Sequence, residues 1–207
     1  MSEPSFVVAY SESRSRLTVA FRYILAIPHI VIAAAWGYFA QLIGFVQWFI
    51  VLFTGRRNEG IWNLQHSWLG YSARVSGYQS LLFDEWPAIG PDPEAEPTVF
   101  RMQYQAEANR LTNALRFFWV IPAAIVLFFV GIGAFFVVMA SWFTIVITGR
   151  HPRGMWDYLL RYLRFAVRVS AYGNLMTDEY PRWRGDEPTG LAGSGAPLAA
   201  PSTPPVG

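Results

Sequence analysis

The sequence predicts an all-α integral membrane protein built from two tandem homologous repeats. Three observations carry that prediction. The chain matches itself without a gap at a constant offset of 94 residues. Each copy holds an apolar run of about 30 residues, longer than the ~20 that span a bilayer as a helix. Composition agrees: 53% of residues are apolar, 17% aromatic and only 14% charged, with a mean hydropathy of +0.26. A soluble domain is usually nearer a quarter charged.

The repeat is plain residue by residue. Arg16-Leu17-Thr18 falls on Arg110-Leu111-Thr112, Arg22 on Arg116, and Ile27-Pro28 on Ile121-Pro122. Thr54-Gly55-Arg56 falls on Thr148-Gly149-Arg150, and Arg74-Val75-Ser76 with Tyr78 on Arg168-Val169-Ser170 with Tyr172. Asp84-Glu85 and Pro87 fall on Asp178-Glu179 and Pro181. The organisation is membrane repeat 1 (1–87), a linker rich in Pro and Glu (88–97), membrane repeat 2 (98–184), and a tail of Pro, Gly, Ala and Ser (185–207) that is expected to be disordered.

Each copy opens on a short stretch, Phe6 to Tyr10 and Phe100 to Tyr104, in which Phe100, Met102 and Tyr104 share one face. A small strand or a membrane-skimming segment is expected there. The apolar runs follow, residues 25–53 and 117–147, without a charge if His29 is neutral. Arginines precede the first and Ala33-Ala34-Ala35 resembles a cleavage site, but its mid-chain copy argues for a retained segment. A single helix of ~30 residues would be ~45 Å long, and Gly37, Gly44, Gly131 and Gly133 offer breaks. Both ends of both runs are basic: Arg14, Arg16 and Arg22, then Arg56 and Arg57; Arg110 and Arg116, then Arg150 and Arg153. The positive-inside tendency puts all four on one side, so each run is expected to return as a hairpin, with the copies parallel. Were each run to cross once, the copies would be inverted.

Arg22 and Arg116 fall about one turn inside these regions, where a charge is costly. Snorkelling to headgroups is the expected arrangement. Beyond Gly149 a new helix starts near Trp156. Arg161, Arg164, Arg168 and Tyr172 fall on one face, with Trp156, Leu159, Leu160, Leu163 and Val167 opposite. That pattern predicts an amphipathic interfacial helix whose arginines face anionic lipid. Its first-copy counterpart keeps only Arg74, with Gly70 weakening the helix.

The R-L-T, R and I-P opening from Arg16 to Pro28, the T-G-R after the apolar run, the R-V-S-x-Y from Arg74 to Tyr78 and the D-E-x-P from Asp84 to Pro87 resemble the bacterial family called domain of unknown function 4389. The resemblance occurs twice and covers nearly everything but the tail. It implies an integral membrane protein of bacteria and brings no activity, cofactor or catalytic residue.

Chemistry finds little to build on. There is no Cys and no Lys, and the net charge of +2 is too small to point to nucleic acid. His29, His66 and His151 lack metal-ligand spacing, and their counterparts are Ala123, Leu160 and Arg57. Adjacent carboxylates such as Asp84-Glu85 point apart, so an acid–base dyad is not expected; ending a helix, or pairing with Arg74 or Arg168, is. No phosphate loop is present, and Ser76 and Ser170 lack a repeated His partner for activation. The expectation is a multi-pass protein of the bacterial plasma membrane, without cofactor and not an enzyme. It would act as a scaffold or accessory subunit contacting anionic lipid, a membrane protein partner or a second copy through Arg161, Arg164 and Arg168. The alternative is a small transporter or channel component, with Arg22, Arg116 and His29 lining a polar path between the repeats.

Overall fold

The computed structural model describes residues 4–89 and 98–184; the tail and most of the linker lie outside them. In chain order the elements are β1 (Ser5–Val8), α1 (Arg16–Thr54), α2 (Glu59–Gln79), β2 (Thr98–Arg101), α3 (Arg110–Ala114), α4 (Arg116–Thr148) and α5 (Arg153–Gly173).

Each apolar run is one continuous helix, which corrects the expected hairpin within the run. Local signals set the ends of α1. Ser15 accepts from the Thr18 amide at its start, and Gly55 caps its end in the left-handed region at φ 72°. Gly149 does the same for α4 at φ 74°. The glycines inside the runs are packing sites, not breaks. A Cβ on Gly37 would meet the Trp68 indole at 3.1 Å, and one on Gly133 would meet the Tyr158 hydroxyl. At 1.5 Å per residue, α1 and α4 are ~58 and ~50 Å long.

A hairpin does form, but between each long helix and the helix that follows. Along α1 and α2, Arg22 reaches Tyr78, His29 reaches Tyr71, the Trp68 indole donates to Ala33, and Gln47 accepts from the Asn58 amide. Residues contact in reverse order, so the helices are antiparallel. Along α4 and α5, Arg116 reaches Tyr172, Tyr158 donates to Val130, and Ser141 lies against Met155. The α1 buried stripe (Val19, Arg22, Ala26, His29, Gly37, Ala40, Gly44, Gln47, Val51) advances by three and four residues except for the eight from His29 to Gly37, a narrow seam on one side of the helix.

The two hairpins are related by a pseudo-two-fold axis. β1 and β2 pair antiparallel with Phe6 opposite Phe100, each the other's repeat equivalent, so the axis passes between them. Phe6 and Phe100 pack into one core with Trp62, Trp156, Leu160 and Leu163. The helices α2 and α5 thus occupy the interior, with long helices against them and the two-stranded sheet closing over them. This corrects the interfacial reading of α5. From residue 155 to 172 every position is buried or half-buried.

Polarity is inverted relative to a water-soluble protein. Arg22, Arg57, Gln47, Gln65 and His151 are buried, whereas Phe21, Ile24, Phe39, Phe45, Phe128 and Phe136 are exposed. Within their most apolar stretches only 22% of α1 and 11% of α4 is buried, so neither is a core helix. By length and composition both can cross a membrane.

Candidate functional site

The repeats lock together at two junctions, one at each end of the long helices. At the first, the start of α1 meets the end of α4. Arg14 N donates to Gly149 O at 2.9 Å, His151 N to Glu12 O at 2.9 Å, and the Trp142 indole to Val19 O at 3.0 Å. At the second, the start of α3 meets the end of α1. Ala108 N donates to Gly55 O at 3.0 Å, Arg57 N to Ala106 O at 2.8 Å, and the Trp48 indole to Asn113 O at 2.9 Å. Each bond is the other's equivalent under the repeat, so α1 and α4 run in opposite directions and the halves are inverted. Tyr10 and Tyr104 donate across the repeats to His151 O and Arg57 O, and Trp156 and Trp62 to Leu82 O and Met176 O. Gly55 and Gly149 must be glycine twice over. Their φ is positive, and Arg110 or Arg16 of the other repeat lies about where a Cβ would point.

A buried charge cluster sits beneath each junction. Arg22 is fully buried; it stacks 4.5 Å over Tyr78, donates to Tyr78 O and Phe83 O, and pairs with Asp84. Arg116 repeats the set with Tyr172, Thr177 O and Asp178, at 2.5 Å from the carboxylate. The other carboxylate oxygens hold the helix starts, accepting from Ser15 N and Asn109 N. Arg22 and Arg116 therefore neither snorkel nor line a wetted path between the repeats. Each is clamped to its own repeat, and the partner of Asp84 and Asp178 is this arginine rather than Arg74 or Arg168.

The clusters differ in two respects. At the first, Arg14 donates to Leu82 O at 2.6 Å, where the second has Ala108. Arg57 also binds Asp178, at 2.6 Å, and donates to Leu175 O. At the other end its counterpart is His151, whose Nε2 lies 3.2 Å from Ser141 Oγ. Burial, and then Arg14, push His151 down to about 4, against a partial counterpull from Leu81 O. The imidazole is neutral near pH 7. Burial also lowers Arg57 from the ordinary arginine range, opposed by Asp178.

The structure does not gather Arg161, Arg164 and Arg168 on a lipid-facing surface. Arg164 donates to Phe6 O beneath the sheet, Arg168 is 5% exposed and donates to Arg182 O, and Arg161 is half-buried. Their helix face looked free because the strands that cover it carry no signal of where they dock. His29 is buried in the α1–α2 seam with Nδ1 2.8 Å from the Tyr71 hydroxyl, whereas Arg116 is bound within the other repeat. Sequence reasoning missed Gln65. It is fully buried, and neither amide atom has a partner. Among the described residues no group of three or more His, Asp or Glu side chains converges as metal ligands would.

Fold and junctions together define a class: an inverted pair of helical hairpins with apolar outer helices and a buried Arg–Asp lock at each end. The chain belongs to the family described as Domain of unknown function (DUF4389), which matches residues 16–89 and again residues 110–183. The two matches coincide with the two hairpins. No curated protein and no solved structure matches the chain.

Proposed function

We propose that this protein is a non-catalytic subunit or scaffold of the bacterial plasma membrane, its long helices crossing the bilayer once each in opposite senses. The inverted polarity carries the reading. A ~50 Å helix whose exposed surface is Phe, Ile and Val, while arginine and glutamine are buried, is stable only where its surroundings are apolar. Among the described residues the serine–histidine contact, Ser141 Oγ with His151 Nε2, is fully buried, which supports a non-catalytic role. With the Arg161 face covered, the outer surfaces of α1 and α4 are what a membrane partner or a second copy would meet.

Two measurements test this. The protein should resist alkaline extraction and require detergent. The chain lacks cysteine, so single cysteines can be placed at Ser13, Arg150, Arg56 and Glu107. Ser13 and Arg150 bridge at one end, Arg56 and Glu107 at the other. An impermeant maleimide on intact cells should label one pair and spare the other. Labelling of all four, or release at alkaline pH, would overturn the reading.

A small transporter or channel component is the second reading, favoured by one observation. The α1–α2 seam carries His29, Tyr71, Gln65 and Gln47, where the other repeat has Ala123, Phe165, Leu159 and Ser141. The fold does not require those polar groups, and an ionisable residue inside a membrane is a candidate conduction element.

A further inference from the structure

We propose that the groove between the start of α1 and the start of α5 is a binding site for the phosphate of an anionic phospholipid headgroup. The proposal rests on the membrane reading above. Two adjoining cavities form the groove, of about 740 and 560 Å³. They share Glu12, Thr148 and Arg150; the larger adds Arg153 and the smaller Arg14 and Arg16. Thr144, one turn inside α4, lines the larger cavity, so the groove opens where the apolar helix ends. A headgroup whose acyl chains lie along α4 would meet it there.

Arg16, Arg150 and Arg153 set three guanidinium groups against two carboxylates, while the Arg14 guanidinium turns inward to Leu82 O. Glu12 stands 3.9 Å from Arg150, and Asp157 lies 3.1 Å from Arg153. Arg150 is 75% exposed. Arginine suits this task because its planar fork matches phosphate oxygens. His151 is neutral, so the charge of the groove does not vary near pH 7.

The start of α5 supplies an independent observation. The first turn of a helix leaves amides unpaired and carries partial positive charge. In repeat 1 the chain meets that need itself. Asn58 accepts from the Ile61 amide, and Glu59 places a carboxylate in the first turn. In repeat 2 the same two positions are Pro152 and Arg153. No side chain caps α5; the Met155 amide, counterpart of Ile61 N, is met only by Pro152 O at 3.1 Å, and a cation stands in the first turn. An anion in the groove completes this helix start, as phosphates do at other helix N-termini. The opposite junction shows the contrast. A cavity there is lined by Gln105, Ala106, Glu107, Asp178 and Glu179, with no arginine among its lining residues.

The test uses the intact protein in detergent, titrated with phosphatidylglycerol or with phosphatidylcholine and read by native mass spectrometry and tryptophan fluorescence. Phosphatidylglycerol should bind in preference. Arg150→Gln with Arg153→Gln should weaken it roughly thirty-fold, the loss expected when two basic side chains leave an anionic lipid. Arg56→Gln with Arg110→Gln at the opposite junction should not. Pro152→Asn, which gives α5 its own cap, should weaken phosphatidylglycerol and raise the melting temperature of lipid-free protein. Equal affinity for both lipids, or wild-type affinity in Arg150→Gln and Pro152→Asn, overturns the site. Displacement by inorganic phosphate at equal concentration overturns the headgroup as occupant. These failures differ from failure of the membrane reading, in which the protein stays soluble without detergent and floats with no vesicle.

Discussion

Replacing Asp178 by Asn should be the most damaging single polar substitution in the chain. Asp178 accepts from Arg116 at 2.5 Å, from Arg57 at 2.6 Å and from Asn109 N at 3.0 Å. Both guanidinium groups are buried, with side-chain exposures of 4% and 0%. Asparagine removes the only carboxylate that either arginine reaches among the described residues and turns an amide donor toward one of them. Breaking a buried ion pair costs about 3–5 kcal/mol. The carboxylate is itself 29% exposed, so water relieves part of the loss, and the two pairs do not add. About 4 kcal/mol is the working figure. Asp84→Asn strands one paired guanidinium, Arg22, and should cost about half as much. For a chain of this length 1 kcal/mol moves the midpoint by about 2–4 °C, so Asp178→Asn should melt about 8–16 °C early. Thermal unfolding in detergent, followed by tryptophan fluorescence, measures this. If Asp178→Asn lies within 1 kcal/mol of wild type, or melts no earlier than Asp84→Asn, the clusters do not hold the junctions. Arg57→Gln separates the contributions. It leaves Asp178 with one arginine, as at the other end, and should be milder than Asp178→Asn.

Three further outcomes are expected. His151 has a folded-state value of about 4 against 6.5 unfolded, so its contribution is complete above pH 6.5 and lost as pH falls toward 4, by about 3 kcal/mol in all. The difference in melting temperature between wild type and His151→Gln, measured across that window, should shrink or change sign as pH drops; a constant difference refutes the assignment. Gly55→Ala and Gly149→Ala should each cost about 1–2 kcal/mol through the positive φ alone, whereas Gly154→Ala, with no atom within 4 Å of its Cβ site, should be neutral or slightly stabilising; equal effects would remove the steric argument. Gln65→Leu, which installs the residue of the other repeat, should stabilise by about 1–3 kcal/mol if the seam is dry, because an unpaired buried amide is costly. Destabilisation would mean that bound water satisfies Gln65 and that the seam is hydrated.

Much of this fold is legible in the sequence, and the reasons for the rest are specific. The duplication, the apolar helices and their glycine stops are local properties of the chain. The hairpin expectation failed because it counted charges as if each met lipid. Arg22, Arg116 and Arg57 lie inside the protein against Asp84 and Asp178, so they are not votes for a cytoplasmic face. The pairing spans 62 residues within each repeat, and no local pattern reveals it. A signal existed nonetheless: a repeated arginine in an apolar setting and a repeated aspartate both need partners, and each repeat supplies one of each. The wheel of α5 misled for a different reason. Amphipathicity shows that two faces differ, not that the polar one meets solvent; here it meets the sheet and its flanking chain, with Arg164 donating to Phe6 O.

The duplication serves as an internal control on which residues the architecture needs. Residues identical in both copies have a place in the scaffold. Arg16 and Arg110 lie on the glycine caps, Trp48 and Trp142 tie the helix ends, Tyr10 and Tyr104 cross between repeats, and Arg22 with Asp84 repeats as Arg116 with Asp178. Since each set already holds one half in place, the matching position in the other half is not free to differ without cost. Some positions where one copy departs in polarity still hold the scaffold, as Arg57 does against Asp178. Two other places matter more here: the α1–α2 seam, with His29, Gln47 and Gln65, and the groove at α5, with Pro152 and Arg153 where repeat 1 has Asn58 and Glu59. Buried amides without partners and a helix start without a cap are both destabilising for a chain that merely has to fold. A symmetric scaffold that keeps such features in one half only is using them for something other than folding, and those two places are where its activity should be sought.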